Sequence, residues 1–254
     1  NPDEGDRFGC SVDISGDTVV VGARWEDSRA PGVDPSPNEE AKWAGAAYVF
    51  VREDDKWSQQ AYLKASDPDA GDNFGHSVAI SGDTVIAGAY GKDRDRSEPG
   101  ASPDEVIEYA GAAYVFVRQD DTWTQQAYLQ ASDAHDGGAF GYSVSLMGDM
   151  AVVGATDKNL DPDVIDAPDA QNNLESAGAA YVFTREDGKW TQQNRVHALN
   201  ADALDHFGNA VAASGDIFVV GALNEDSSTK GVNSKPDKAA ESSGAAYIFK
   251  HKEE

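Results

Sequence analysis

Acidic and amide side chains return at fixed places along this chain, and the chemistry that suits them best is holding a cation. Asp27, Asp93, Asn159 and Asp226 each stand four residues beyond an Ala that closes an apolar run. A second set, Asp3 with Asp6, Asp69 with Asp72 and Asp202 with Asp205, stands five and two residues before a Phe-Gly pair. His135 and Gly138 break that pattern in the third repeat. Oxygen donors of this kind, helped by nearby carbonyls, could coordinate calcium. The same side chains also cap turns by accepting backbone N–H groups. Aromatic rings offer a second chemistry: Trp25, Trp43, Tyr90 and Tyr109 fall in the long loops beside those carboxylates. Rings so placed stack on sugars, contact a protein partner, or pin the loops to the body.

Catalytic patterns are missing. The five histidines fall at unrelated positions, and there is no Gly-x-Ser-x-Gly elbow, phosphate-binding Gly loop or Cys pair. Paired carboxylates are so common here that finding one pair proves nothing. The chain therefore reads as non-catalytic. Cys10 is the single cysteine, so no intrachain disulfide can form. Its counterparts, His76, Tyr142 and Asn209, share no chemistry with it, which makes it a passive thiol. A formal charge of −25 repels nucleic-acid phosphates and anionic lipid while attracting cations. No run approaches the roughly 18 apolar residues of a membrane-spanning helix, so membrane insertion is not expected. A chain that starts at Asn1, without an initiator Met or signal-like segment, reads as a processed product or a piece of something longer.

These side chains are positioned by a fourfold repeat. Phe8-Gly9, Phe74-Gly75, Phe140-Gly141 and Phe207-Gly208 are spaced 66, 66 and 67 residues apart. Each pair leads into an apolar run ending in Gly-Ala, then a long polar loop, then Gly-Ala-Ala-Tyr-(Val/Ile)-Phe from Gly45, Gly111, Gly178 or Gly244. A period of this size means one supersecondary unit stacked on copies of itself. The apolar period is two, so the units are strands. Ser15-Gly16-Asp17 and its equivalents predict a tight hairpin turn between the first two strands. Ala46 to Arg52 is apolar on both faces, and a fourth strand begins at Trp57, Trp123 or Trp190. The Pro-led segments at Pro37, Pro103, Pro168 and Pro236 predict single helical turns inside the long loops. Four-stranded antiparallel sheets repeated radially are blades of a β-propeller. The fold class is thus an all-β, propeller-type array of four blades in one domain, 1–254, divided 1–66, 67–132, 133–199 and 200–254. The Phe should wedge between blades, where Gly permits close backbone approach.

Phe-Gly at the start and Val-Gly-Ala at the end of the second strand resemble the FG-GAP repeat. That repeat is the blade unit of integrin α-subunit propellers and of many bacterial surface proteins. Two features depart from it. Arg24, Tyr90, Thr156 and Leu223 stand where the family has Pro, and the Asp-rich calcium loop between the first two strands has shrunk to Ser-Gly-Asp. One carboxylate per hairpin cannot supply calcium's six to eight oxygens, so that metal site is not carried over. The resemblance implies an extracellular or cell-surface scaffold for adhesion or ligand binding.

The fourth repeat stops at Phe249–Glu254, without a Trp-led strand, so Ala245–Phe249 should present an unpaired edge. Expected partners are other copies of the chain or flanking blades of a longer parent, with a glycan or protein ligand at the loops. The leading expectation is adhesion or self-assembly into a surface or fibrous structure, and the alternative is calcium-dependent glycan binding.

Overall fold

The computed structural model describes residues 3–95, 106–161, 174–231 and 235–251. Among them all regular structure is β. The first sheet holds β1 (Phe8–Ser15), β2 (Thr18–Ala23), β3 (Ala46–Glu53) and β4 (Lys56–Leu63) as an antiparallel meander. The second holds β5 (Ser77–Ser81), β6 (Thr84–Ala89), β9 (Ala112–Gln119) and β10 (Thr122–Leu129), while β7 (Arg94–Asp95) and β8 (Val106–Ile107), from the loop between β6 and β9, pair as a separate two-stranded sheet. The third holds β11 (Phe140–Met147), β12 (Met150–Ala155), β13 (Ala179–Glu186) and β14 (Lys189–Val196). The fourth has only β15 (Phe207–Ser214), β16 (Ile217–Ala222) and β17 (Ala245–Lys250), so β17 is an edge, as expected.

The turns follow from local chemistry. Gly16 supplies a φ of 59° between β1 and β2. Asp54 and Asp55, at 49° and 61°, both take the left-handed conformation that lets a two-residue turn match the strand twist. A bulge then gives the Trp-Ser/Thr-Gln-Gln motif its purpose. In the β3–β4 pairing Val49 faces Ala61 and Phe50 faces Gln59, so Gln60 is extra. Its Oε1 accepts Nε1–H of Trp123 at 2.9 Å and Nη1–H of Arg118 at 3.1 Å in the next sheet. Gln126 does the same for Trp190 and Arg185.

The innermost strands converge without forming a ladder, joined by side chains that cap backbone donors. Asp13 Oδ2 accepts the Ile80 N–H at 2.8 Å, and Ser15 and Ser81 Oγ accept those of Gly82 and Gly148 at 3.0 Å. At each junction the Phe-Gly pair plugs into the sheet before it. The Phe74 N–H donates to the Ala44 carbonyl at 2.9 Å, and Gly45 bridges Phe74 in parallel. A Cβ on Gly22 would overlap the Gly75 carbonyl oxygen, and one on Gly45 would overlap the Phe74 backbone. The Phe74 ring lies edge-on to Tyr114, with centroids 5.5 Å apart. The expected wedge and close approach are both present, and the sheets are propeller blades in an array that does not close.

One expectation needs correcting. Pro37-Asn38-Glu39 and Pro236-Asp237-Lys238 form no helical turn. Asn38 Oδ1 accepts the N–H groups of both Arg29 and Glu40, and Asp237 Oδ1 those of Ser228 and Ala239. Such bonds tie one side of the loop to the other and compete with helix. The segments at Pro103 and Pro168 lie outside the described residues.

Candidate functional site

Antiparallel pairing sends every second-to-third-strand loop and every linker between blades to one end of the array. The tight turns occupy the other end. The candidate residues therefore share a face, and the two acidic sets have visible duties there.

Asp27 Oδ1 accepts the N–H of Trp43 at 2.7 Å, and Asp93 that of Tyr109 at 2.8 Å. Asn159 and Asp226 do the same for Ser176 and Ser242. All four recipients have left-handed backbones, with φ between 48° and 63°. A short acceptor that fixes such a residue offsets part of its strain. The second set closes three-residue turns: Asp6, Asp72 and Asp205 accept the N–H groups of Asp3, Asp69 and Asp202 at 3.0, 2.8 and 2.7 Å. Cations already sit on their partners, since Lys92 contacts Asp69 and Asp72 while Lys238 contacts Asp202. Burial pushes the Asp72 and Asp205 carboxyls up to about 6. Among the described residues no three His, Cys, Asp or Glu side chains gather as metal ligands would. The donors are dispersed along the rim, so no step is assigned to calcium.

Of the aromatic candidates, Trp25, Trp43 and Tyr90 come together. Trp25 and Trp43 stack with centroids 5.6 Å apart, Lys42 lies over Trp43 at 4.5 Å, and Arg7 lies over Trp25 at 4.3 Å. Arg24, 5.2 Å from the Trp25 ring, donates from Nη1 to His76 Nδ1 at 3.0 Å. His76 contacts Tyr90 and Tyr142, each at 4.7 Å. Burial, then the Arg24 charge, lowers His76 to about 4, so the imidazole is neutral and accepts that bond. Arg24 Nε is buried with no hydrogen-bond partner among the described residues. Trp43 and Tyr109 are exposed. The result is a strip of cations and rings running from the rim of blade one to the inner strand of blade three, on a protein of charge −25. Sequence reasoning missed Arg24, His76 and Tyr142; the visible signal was that the slot after Phe-Gly varies.

It also missed a buried polar node three residues beyond each Gly-Ala. Lys64 Nζ meets Glu26 Oε2 and the Gly45 carbonyl, both at 2.6 Å, and Tyr62 donates to Glu26 Oε1 at 2.6 Å. Blades two and three place Lys92 and Lys158 there, facing Asp67 and Asp133. Blade four returns to Glu225, facing Asn200 Nδ2 at 2.8 Å. In blades one to three the charge at this place meets one of opposite sign, and in blade four the Glu225 carboxylate meets an amide donor instead. The node is structural.

A family model of the FG-GAP repeat matches residues 1–50, 57–116, 123–183 and 190–249. Each of the last three matches runs from where a fourth strand would stand through the third strand of the following blade. No curated protein matches the chain. Among solved structures, the crystal structure of a candidate 6-phosphogluconolactonase from Bacteroides uniformis is similar at 12% identity and a TM-score of 0.47. The match covers 86% of this chain and 51% of that one, so the chain spans about half that protein's length.

Proposed function

The chain belongs to the FG-GAP repeat family, and from that premise we propose that it is a non-catalytic extracellular module serving adhesion or self-assembly. The observation that carries the adhesive part is the cation–aromatic strip on the loop face. Exposed Trp43 and Tyr109 offer ring surface, and the Lys42 ammonium lies over the Trp43 ring. A partner presenting sugar or aromatic rings with a carboxylate would stack on the rings and engage the cations.

The test is retention of the protein on a panel of immobilised neutral glycans, carboxylate-bearing glycans and proteins. At least one acidic member should be bound, with affinity about tenfold weaker in Trp43→Ala and Tyr109→Ala and unchanged melting temperature. Equal binding by both variants, or no binding at all, contradicts the reading. The same exposed rings favour a second reading, calcium-dependent glycan binding. Its mark would be retention abolished by EDTA and restored by calcium.

A further inference from the structure

Each internal junction joins a front face, carrying Phe-Gly and the apolar side chains of an inner strand, to the rear face of the blade before it. Between blades two and three, Phe140, Val144 and Leu146 pack on Ile86, Ala113 and Val115 in one core. Blade one has the same front face: Phe8 is 56% exposed where Phe140 is 1%, and Ile14 is 61% exposed where Ile80 is 4%. Blade four has the same rear face, and Ile248 is 69% exposed where Val115 is fully buried.

The backbone fittings are complementary as well. Gly22, Gly88 and Gly154 are filled by the carbonyls of Gly75, Gly141 and Gly208, whereas the equivalent Gly221 meets nothing nearer than Ala210 at 3.7 Å. Gly45, Gly111 and Gly178 are filled by the next Phe, whereas Gly244 meets only the nearby Ala222–Leu223 backbone. Gly9, the free plug, has no atom near its Cβ position. Phe8 and Ser243 match the pair whose N–H and carbonyl bond at the first junction, Phe74 and Ala44. Ser214 and Gly16 match Ser15 and Gly82. A fourth strand, which the described residues of blade four lack, would have added the counterparts of Gln60, which meets Trp123, and of Ala61 and Leu63, which share a core with Phe74.

We infer that the front face of blade one docks on the rear face of blade four of a second copy, head to tail, reusing the junction found three times within the chain. This deepens the self-assembly part of the proposed function and rests on it. A contact between two different faces is heterologous: it closes into a ring or continues as an open series.

Light scattering and sedimentation velocity on the 254-residue chain test this, with Ile14→Asp blocking the front and Ile248→Asp the rear. Wild-type mass should rise with concentration to two copies or more; a plateau at two marks a ring, a continued rise an open series. Each variant alone should stay monomeric, with self-affinity at least about tenfold weaker. An equimolar mixture should form a one-to-one pair and stop, because one good front and one good rear remain. That rescue also shows that both variants fold. A wild-type monomer at about 100 µM, self-association of either variant, or failure of the mixture would overturn the inference. Loss of assembly with panel binding intact would remove self-assembly and leave adhesion, and the converse result would remove adhesion.

Discussion

Ile14 and Ile80 occupy the same place in the same repeat, one in water and the other in the core. Both lie on an inner strand six residues after the Phe of a Phe-Gly pair, Ile14 between Asp13 and Ser15 and Ile80 between Ala79 and Ser81. What differs is whether another blade stands in front. Sequence makes the strand, and the neighbour decides its burial. The internal junctions should therefore carry the stability of the array, and matched substitutions at an open face should be nearly silent.

The largest contrast is expected from glycine. Gly88→Ala would drive a methyl into the Gly141 carbonyl, at a cost of about 3 kcal/mol or more in denaturant unfolding. Gly221→Ala makes only ordinary contact with Ala210, at 3.7 Å, and should stay within about 0.5 kcal/mol in dilute protein. Equal losses would break the comparison. Next comes Phe140→Ala, which removes a buried ring and should cost about 3–4 kcal/mol, against under about 1 kcal/mol for Phe8→Ala. Trp123→Phe deletes the bond to Gln60 and should cost about 1 kcal/mol, while exposed Trp57→Phe should cost close to nothing.

The smallest effect is electrostatic. Asp205 is buried and raised to about 6, mainly by desolvation, then by the charges of Asp202, Glu225 and Asp226. Its native form holds a proton more tightly than its unfolded form, so it favours folding below the ordinary carboxylate range and loses that contribution as pH climbs through about 6. Asp205→Asn keeps the acceptor for Asp202. It should stabilise the protein by about 1 kcal/mol at pH 7.5, an advantage that shrinks toward pH 5 in paired thermal melts. An advantage that grows on acidification would reverse the assignment.

Much of this architecture is legible in the chain, because radial packing repeats the same constraints every 66 or 67 residues. Phe-Gly, the Gly-Asp turns and the Trp-led fourth strand each announce a local geometry. Less visible was what depends on the next blade. Gln60 looks like an ordinary edge residue until its bulge reaches Trp123. The acceptor role of Asp27 is likewise hidden in the sequence, because it depends on Trp43, 16 residues on, taking a left-handed backbone. The Pro37 loop reads as a helical turn because the bond from Arg29 to Asn38 spans residues with no periodic signal. At the loop face the rings could be listed from sequence, but not joined: Arg24 and His76 link them only because blades one and two are adjacent.

The central claim is that identical faces are buried inside the array and open at its two ends. Hydroxyl-radical footprinting read by mass spectrometry tests it residue by residue. Dilute protein should be labelled strongly at Phe8, Ile14 and Ile248, about tenfold above Phe140, Ile80 and Val115, and raising concentration should protect the first three together. Equal labelling of Phe8 and Phe140 at every concentration would contradict the account.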